Sequence, residues 1–179
     1  MRLDPILQEP LDDRVKGMPG GLAALTLQQI GRQGWRLLAE DLPLPACILS
    51  QSALDHNRAL MRRFLEANGA VIAPHGKTTM SPQLFQLQLD DGAFAITVGN
   101  IHQIQVARRF GARRVILANQ LIGRQAFRYV LEEMARDPEF DFYCLVDSVA
   151  LVERMAAAAR ARPVGRPIQV LLEGGFAGG

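Results

Sequence analysis

The chain has 179 residues, 49% of them hydrophobic, with 20 Lys and Arg set against 18 Asp and Glu. That composition builds a packed core and excludes a disordered chain, and the even spread of charge, with no basic block, excludes a nucleic-acid surface and leaves a small molecule as the expected partner. No apolar run approaches the roughly 20 residues of a membrane helix, and Met1-Arg2-Leu3-Asp4-Pro5 lacks the apolar core of a signal peptide, so a cytoplasmic protein is expected.

The chain opens irregularly, with a turn signal at Gly17-Met18-Pro19-Gly20-Gly21, and a helix is expected over 25–40. A repeating order then begins. A strand over 46–49 leads into Ser52-Ala53-Leu54-Asp55, which has capping-box spacing and opens a helix with Leu54, Met61, Phe64 and Leu65 on one side. A strand over 70–73 precedes Ser81-Pro82, where Ser is a favoured N-cap and Pro is pre-set for the first helical position, so a helix runs from there to about 89. Next come a strand over 93–98 and a helix over 101–110 stopped by Gly111. The order continues with a strand over 114–118, a helix over 124–136 and a strand over 140–146. A helix capped by Ser148 then runs to about 162, and the last strand covers 168–173. Cys47 and Cys144 fall in apolar, strand-like runs and are expected as free thiols in a reducing compartment. Short Val, Ile and Leu runs between helices give an α/β class with a parallel sheet covered on both faces. The spacing leaves both an open doubly wound sheet and part of a closed barrel, although no Gly-rich nucleotide loop follows any strand. Because the chain stops on a glycine-rich run just after a strand, and a full barrel needs about 250 residues, it reads as a fragment.

Chemistry concentrates at His75-Gly76-Lys77-Thr78, on a strand-to-helix turn, where parallel α/β folds place their active face. A lysine there can form an imine with an aldehyde cofactor when its amine is partly deprotonated. Gly76 allows close backbone approach, His75 offers a flat ring, and Thr78 and Thr79 offer hydroxyls. Asn119 and Gln120 end one strand and Asp147 ends the next; each also fits an ordinary loop, and Asp147 fits a helix N-terminus. Glu173 reads either as a site residue or as a strand-end carboxylate. His56 and His102 read as surface residues on helices, and the Arg108-Arg109 and Arg113-Arg114 patch as a solvated helix end.

A longer set of motifs carries a resemblance. Leu44-Pro45-Ala46, Ala53-Leu54-Asp55-His56-Asn57, Ala73-Pro74-His75-Gly76-Lys77-Thr78, Leu89-Asp90-Asp91-Gly92-Ala93, Ala118-Asn119-Gln120 and Glu173-Gly174-Gly175-Phe176-Ala177-Gly178-Gly179 occur in order. With them the chain resembles the D-threonine aldolase and D-serine dehydratase family, within the alanine-racemase-like, fold type III pyridoxal phosphate enzymes. The variants Lys77-Thr78-Thr79-Met80, Ala118-Asn119-Gln120-Leu121 and Val146-Asp147-Ser148 are most similar to members described as amino acid deaminases.

The resemblance implies a (β/α)8 barrel followed by a β-rich domain, of which this chain would hold about five barrel strands, with 1–43 as an extension and 44–179 as the first part of the barrel. The strand over 46–49 would join the β-rich domain. The resemblance also makes Lys77 the residue that carries pyridoxal phosphate, with His75, Thr78, Asn119, Gln120 and Asp147 around it. The implied activity is ammonia release from a small D-β-hydroxy amino acid, with D-threonine aldolase-type cleavage as the alternative, and the implied full-length protein is a homodimer. A non-catalytic pyridoxal phosphate carrier and an inactive fragment are further alternatives. Two departures stand out. Ala73 occupies the place of an arginine common in the family, and the chain ends before the family's Arg-Thr-Gly. No metal ligand is assigned within this chain; the phosphate cradle and a divalent-metal site built from a His and a nearby Asp or Cys would lie in later segments.

Overall fold

A computed structural model describes residues 1–175. They form two compact units, one over Arg2–Met61 and the other from Arg62 onward together with Met1.

The first unit holds the short helix α1 (Asp4–Leu7), an antiparallel pair of two-residue strands, β1 (Pro10–Leu11) and β2 (Leu25–Thr26), the one-turn helix α2 (Leu27–Ile30) and a 3-10 turn at Leu37–Ala39. The single helix expected over 25–40 is thus broken. Gly31 ends α2 and Gly34 takes φ 70°, and glycine inside a helix costs about 1 kcal/mol relative to alanine. The strand expected over 46–49 is likewise absent: Pro43 and Pro45 supply no N–H to a ladder, and Cys47, Ile48 and Leu49 are exposed. Helix α3 (Gln51–Asn68) follows, opening one residue before the Ser52 that its sequence offers as a cap; the Ala53 N–H turns instead to Ser50 Oγ.

In the second unit the elements alternate: α4 (Pro82–Asp90), β3 (Ile96–Val98), α5 (Ile101–Arg109), β4 (Arg114–Gln120), α6 (Arg124–Arg136), β5 (Asp141–Val146), α7 (Val149–Ala161) and β6 (Gln169–Leu172). Ser81, Asn100 and Ser148 cap α4, α5 and α7 with their side-chain oxygens. Gly111, at φ 86°, ends α5 as its sequence indicates. The four strands lie in chain order, β3-β4-β5-β6, all parallel. A doubly wound sheet reverses its order at a switch point, and this one does not.

The segment expected as a strand over 70–73 pairs slightly later in the chain. The Phe94 N–H donates to the Ile72 carbonyl, the Thr97 N–H to the Pro74 carbonyl, and the Gly76 N–H to the Thr97 carbonyl at 2.7 Å, around one parallel bridge between His75 and Thr97. Pro74 has no N–H to give, which limits this edge to sparse pairing.

Burial alternates along the strands. Val115, Leu117, Phe142, Cys144 and Val146 are buried against Phe127, Val130, Met134, Leu151 and Met155 of α6 and α7, whereas Ile116, Tyr143 and Leu145 are half-buried. Helices therefore seal one face of the sheet, where the sequence suggested cover on both. The amino ends of the strands carry an ionic network. Arg108 is 7% exposed; it donates to Glu133 at 3.0 Å, to Asp137 at 2.6 Å and to the Ala112 carbonyl at 2.6 Å, and stacks 4.0 Å over the Phe140 ring. Arg108 is a core residue that α5 turns toward α6, where two carboxylates receive it, and Arg114 is half-buried; the solvated helix end expected of the patch is corrected for these two, whereas Arg109 and Arg113 are exposed. Among the described residues no helix is long and apolar enough to cross a membrane.

Candidate active site

Lys77 emerges at the carboxyl end of the segment that pairs with β3. The chain turns sharply there: the Met80 N–H donates to the Gly76 carbonyl at 2.9 Å, and Met80 takes φ 44°, a left-handed conformation that costs a side chain with a Cβ on the order of 1 kcal/mol. The turn is rooted through Gly76. A Cβ there would fall 2.6 and 2.7 Å from two atoms of the Phe85 ring and 3.0 Å from Ile96 Cγ2, so packing against the core requires a glycine at this position.

The lysine side chain is exposed, and its Nζ makes no hydrogen bond or ion pair among the described residues. Its stem passes over Gly99, where an added Cβ would lie 3.6 Å from Lys77 Cδ. Gly99 is fixed in turn, because its N–H donates to Gln103 Oε1 at 2.7 Å while its carbonyl accepts from Asn119 Nδ2 at 3.5 Å. Asn119 reaches that carbonyl from a bulge: the β4–β5 register jumps from Leu117 opposite Cys144 to Gln120 opposite Leu145, leaving Ala118 and Asn119 outside the ladder. Such bulges re-aim side chains next to active sites.

Gln120 does something else with its amide. Its Nε2 donates to Asp147 Oδ2 at 3.0 Å and to Glu173 Oε2 at 2.6 Å, joining the carboxyl ends of β4, β5 and β6. Both amide hydrogens are thereby occupied. Glu173, ambiguous in the sequence, thus joins Asp147 in one cluster.

The other expected residues divide. Thr78 is exposed on the lysine turn, and His75 is exposed and contributes its backbone to the bridge with Thr97. His56 and His102 are exposed on α3 and α5. Phe176 to Gly179, part of the glycine-rich motif, lie outside the described residues. The sequence reading missed Gly99, Gln103 and the strained Met80. A Gly-Asn pair between a strand and a helix was the available signal for the first, whereas the conformation of Met80 leaves no mark in its residue type. Among the described residues no group of three or more His, Cys, Asp or Glu side chains is placed to hold a metal ion.

No family model matches the chain. It is 26% identical over 132 residues to D-threo-3-hydroxyaspartate dehydratase of Delftia sp. (strain HT23), a match covering 74% of this chain and 33% of that protein. The crystal structure of D-threonine aldolase from Filomicrobium marinum superposes with a TM-score of 0.68 at 22% identity, covering 77% of this chain and 36% of the other. The Delftia dehydratase structure gives a TM-score of 0.64 at 26% identity, covering 73% and 33%. The chain therefore spans about a third of the length of the proteins it matches. It is a relative of D-threo-3-hydroxyaspartate dehydratase and shares its fold with D-threonine aldolase, the group that its motifs resemble.

Proposed function

We propose that Lys77 carries pyridoxal phosphate at the mouth of a β/α barrel, in a lyase that releases ammonia from a small D-β-hydroxy amino acid. The observation that carries this reading is an exposed, unpaired lysine amine on a strained turn at the carboxyl end of a parallel strand array. A group that must form and exchange a covalent bond needs that freedom, and a lysine held in an ion pair lacks it. When bound, pyridoxal phosphate supplies a conjugated ring that stores the electron pair released at Cα.

The residues of this chain then have separate tasks. Lys77 Nζ would hold the cofactor and would hold or move a proton beside the substrate Cα. Gly99 and Asn119 set the path of its stem. Gln120 keeps Asp147 and Glu173 together at the far side of the same strand ends, and His75 and Thr78 flank the lysine. Sequential parallel strand order supports the barrel reading, with residues 1–43 as an extension and five strands of eight in the remainder. A divalent metal, the phosphate cradle, homodimer formation and a cytoplasmic setting belong to the proposal for the whole protein.

With D-serine the proposed products are pyruvate and ammonia. The fold likeness to D-threonine aldolase favours a second reading, cleavage of D-threonine to glycine and acetaldehyde. The test is to incubate the full-length protein with pyridoxal phosphate, reduce with borohydride and map the labelled peptide. The label is expected on Lys77; a label on Lys16, the only other lysine here, overturns the assignment. Product analysis separates the activities, and clean racemisation of alanine with no keto acid, ammonia or aldehyde refutes both.

A further inference from the structure

A second feature lies on the helical layer. A cavity of about 620 Å³ opens between α6 and α7, flanked by Arg124 and Arg128 on one helix and by Arg154 and Arg162 on the other. Its floor is apolar, formed by Phe127 and Leu131 of α6 and the alanines of α7, whose small side chains leave the space.

The charge in this groove is unbalanced. One carboxylate, Glu132, serves two of the arginines, accepting from Arg128 at 2.9 Å and from Arg162 at 3.1 Å. Arg124 and Arg154 make no hydrogen bond or ion pair among the described residues. Arg124 and Arg128 are also a like-charge pair four residues apart on one helix, an arrangement that opposes helix formation. The helix end compounds this. Arg124 is the first residue of α6, its N-cap is Gly123 with no side-chain bond, and the first turn contains no acid. Free N–H groups and the positive end of the helix dipole therefore add to the guanidinium charge. Three independent features, unpaired arginines, an unneutralised helix start and a cavity within the size range of small-molecule sites, share one missing partner of opposite sign.

We infer that the α6–α7 groove binds a phosphorylated organic anion of the nucleoside di- or triphosphate class. Four guanidiniums against one carboxylate leave a surplus of three positive charges, which suits a polyphosphate, and guanidinium forks match phosphate oxygens in pairs. The apolar floor suits a flat organic body. A groove spanning about nine residues of helix, roughly 13 Å, is short for a stable protein interface, which favours a small ligand.

The test is calorimetric titration of the full-length protein with ATP, with inorganic pyrophosphate as competitor and AMP as the low-charge probe. ATP is expected to bind once per chain, pyrophosphate to compete with it, and AMP to bind at least tenfold more weakly. The double variant Arg124→Ala/Arg154→Ala should lose at least tenfold in ATP affinity, and Arg124→Lys/Arg154→Lys should lose less. Glu132→Gln, which releases Arg128 and Arg162, should bind more tightly. If the alanine variant does not fold, the lysine and Glu132→Gln variants decide. Unchanged affinity in the arginine variants, weaker binding by Glu132→Gln, equal binding of AMP and ATP, or no saturable binding at millimolar ATP overturns the inference. So does displacement by ATP of pyridoxal phosphate from Lys77, which would put the nucleotide at the lysine instead of the groove.

Discussion

The two ends of the parallel sheet are built from similar residue types and differ in how those residues are held. At the amino ends, Arg108 is buried among Glu133, Asp137, the Ala112 carbonyl and the Phe140 ring. Beside it Arg114 pairs with Asp141 and stacks 4.2 Å over Phe94, while Arg166 donates to the carbonyls of Met134, Asp137 and Phe140. At the carboxyl ends, Lys77, Asn119, Asp147 and Glu173 are exposed and each is tethered lightly or not at all. Charge that is satisfied internally stabilises a fold; charge left open is available to a ligand. The proposed function draws on this division, since in β/α barrels the amino-terminal face serves stability and the carboxyl-terminal face serves chemistry.

Substitutions at the two ends should therefore separate activity from stability. Lys77→Ala should take lyase activity to background and abolish borohydride-fixed cofactor, with the melting temperature of the cofactor-free protein unchanged. A large drop in that temperature would show that Lys77 is structural. The opposite result is expected at the other end. Glu133→Ala leaves Arg108 with a buried, partly uncompensated charge, a change that costs about 3–5 kcal/mol, read by urea unfolding. Acid should probe the same network. The Arg108 guanidinium holds the Asp137 carboxyl below its usual 3.8, so that contribution is complete at neutral pH and fades as the pH falls through the lowered value. Asp137→Asn should flatten stability in that acidic window and nowhere else.

Two smaller changes test the join between the ends. Gly76→Ala drives a Cβ into Phe85, and over-packing of this kind costs about 1–3 kcal/mol; since the same residue roots the lysine turn, cofactor loading should fall with stability. Gln120→Leu removes the amide that joins Asp147 to Glu173 at exposed positions. Stability should stay within about 0.5 kcal/mol of wild type, while turnover by the full-length protein falls roughly tenfold as the two carboxylates separate. Equal loss of both would place Gln120 among the structural residues.

How much of this was legible in the sequence depended on whether a local signal decided the outcome. Ser81-Pro82, Ser148 and Gly111 act within one turn of chain, and the helix boundaries they mark hold. The helix expected over 25–40 fails because Gly31 and Gly34 interrupt it, and the strand expected over 46–49 fails because an apolar run needs a partner strand that Pro43 and Pro45 discourage. The placement of Lys77 on a turn after a strand-paired segment and before a capped helix could be read from its neighbours in the chain. The Gln120, Asp147 and Glu173 cluster could not, since it brings together residues up to 53 positions apart, and only the register of three strands makes them neighbours. The burial of Arg108 was hidden for the same reason: nothing beside it in the chain announces Glu133 and Asp137.

The two cysteines give the mildest test of the same contrast between held and open groups. Cys144 is fully buried in β5, and burial pushes its thiol up to about 11, only partly offset by a hydrogen bond from the Leu121 backbone. Cys47 is exposed. Iodoacetamide at mildly alkaline pH should modify Cys47 quickly and reach Cys144 only at the rate of unfolding, which peptide mapping resolves. The sign of the pH effect follows from the raised value. Below the ordinary thiol value of 9.0 both folded and unfolded chains keep the proton, so Cys144 contributes no pH dependence there. Between 9.0 and about 11 the unfolded thiol ionises while the folded one does not, so stability falls as the pH rises through that window. The loss attributable to this residue at pH 10 is about 1 kcal/mol. Cys144→Ala should remove that alkaline slope even though the variant is less stable throughout. A slope that survives the substitution would assign the alkaline loss to other groups, and rapid alkylation of Cys144 in the native protein would show that β5 is open where the packing of Phe142, Cys144 and Val146 says it is closed.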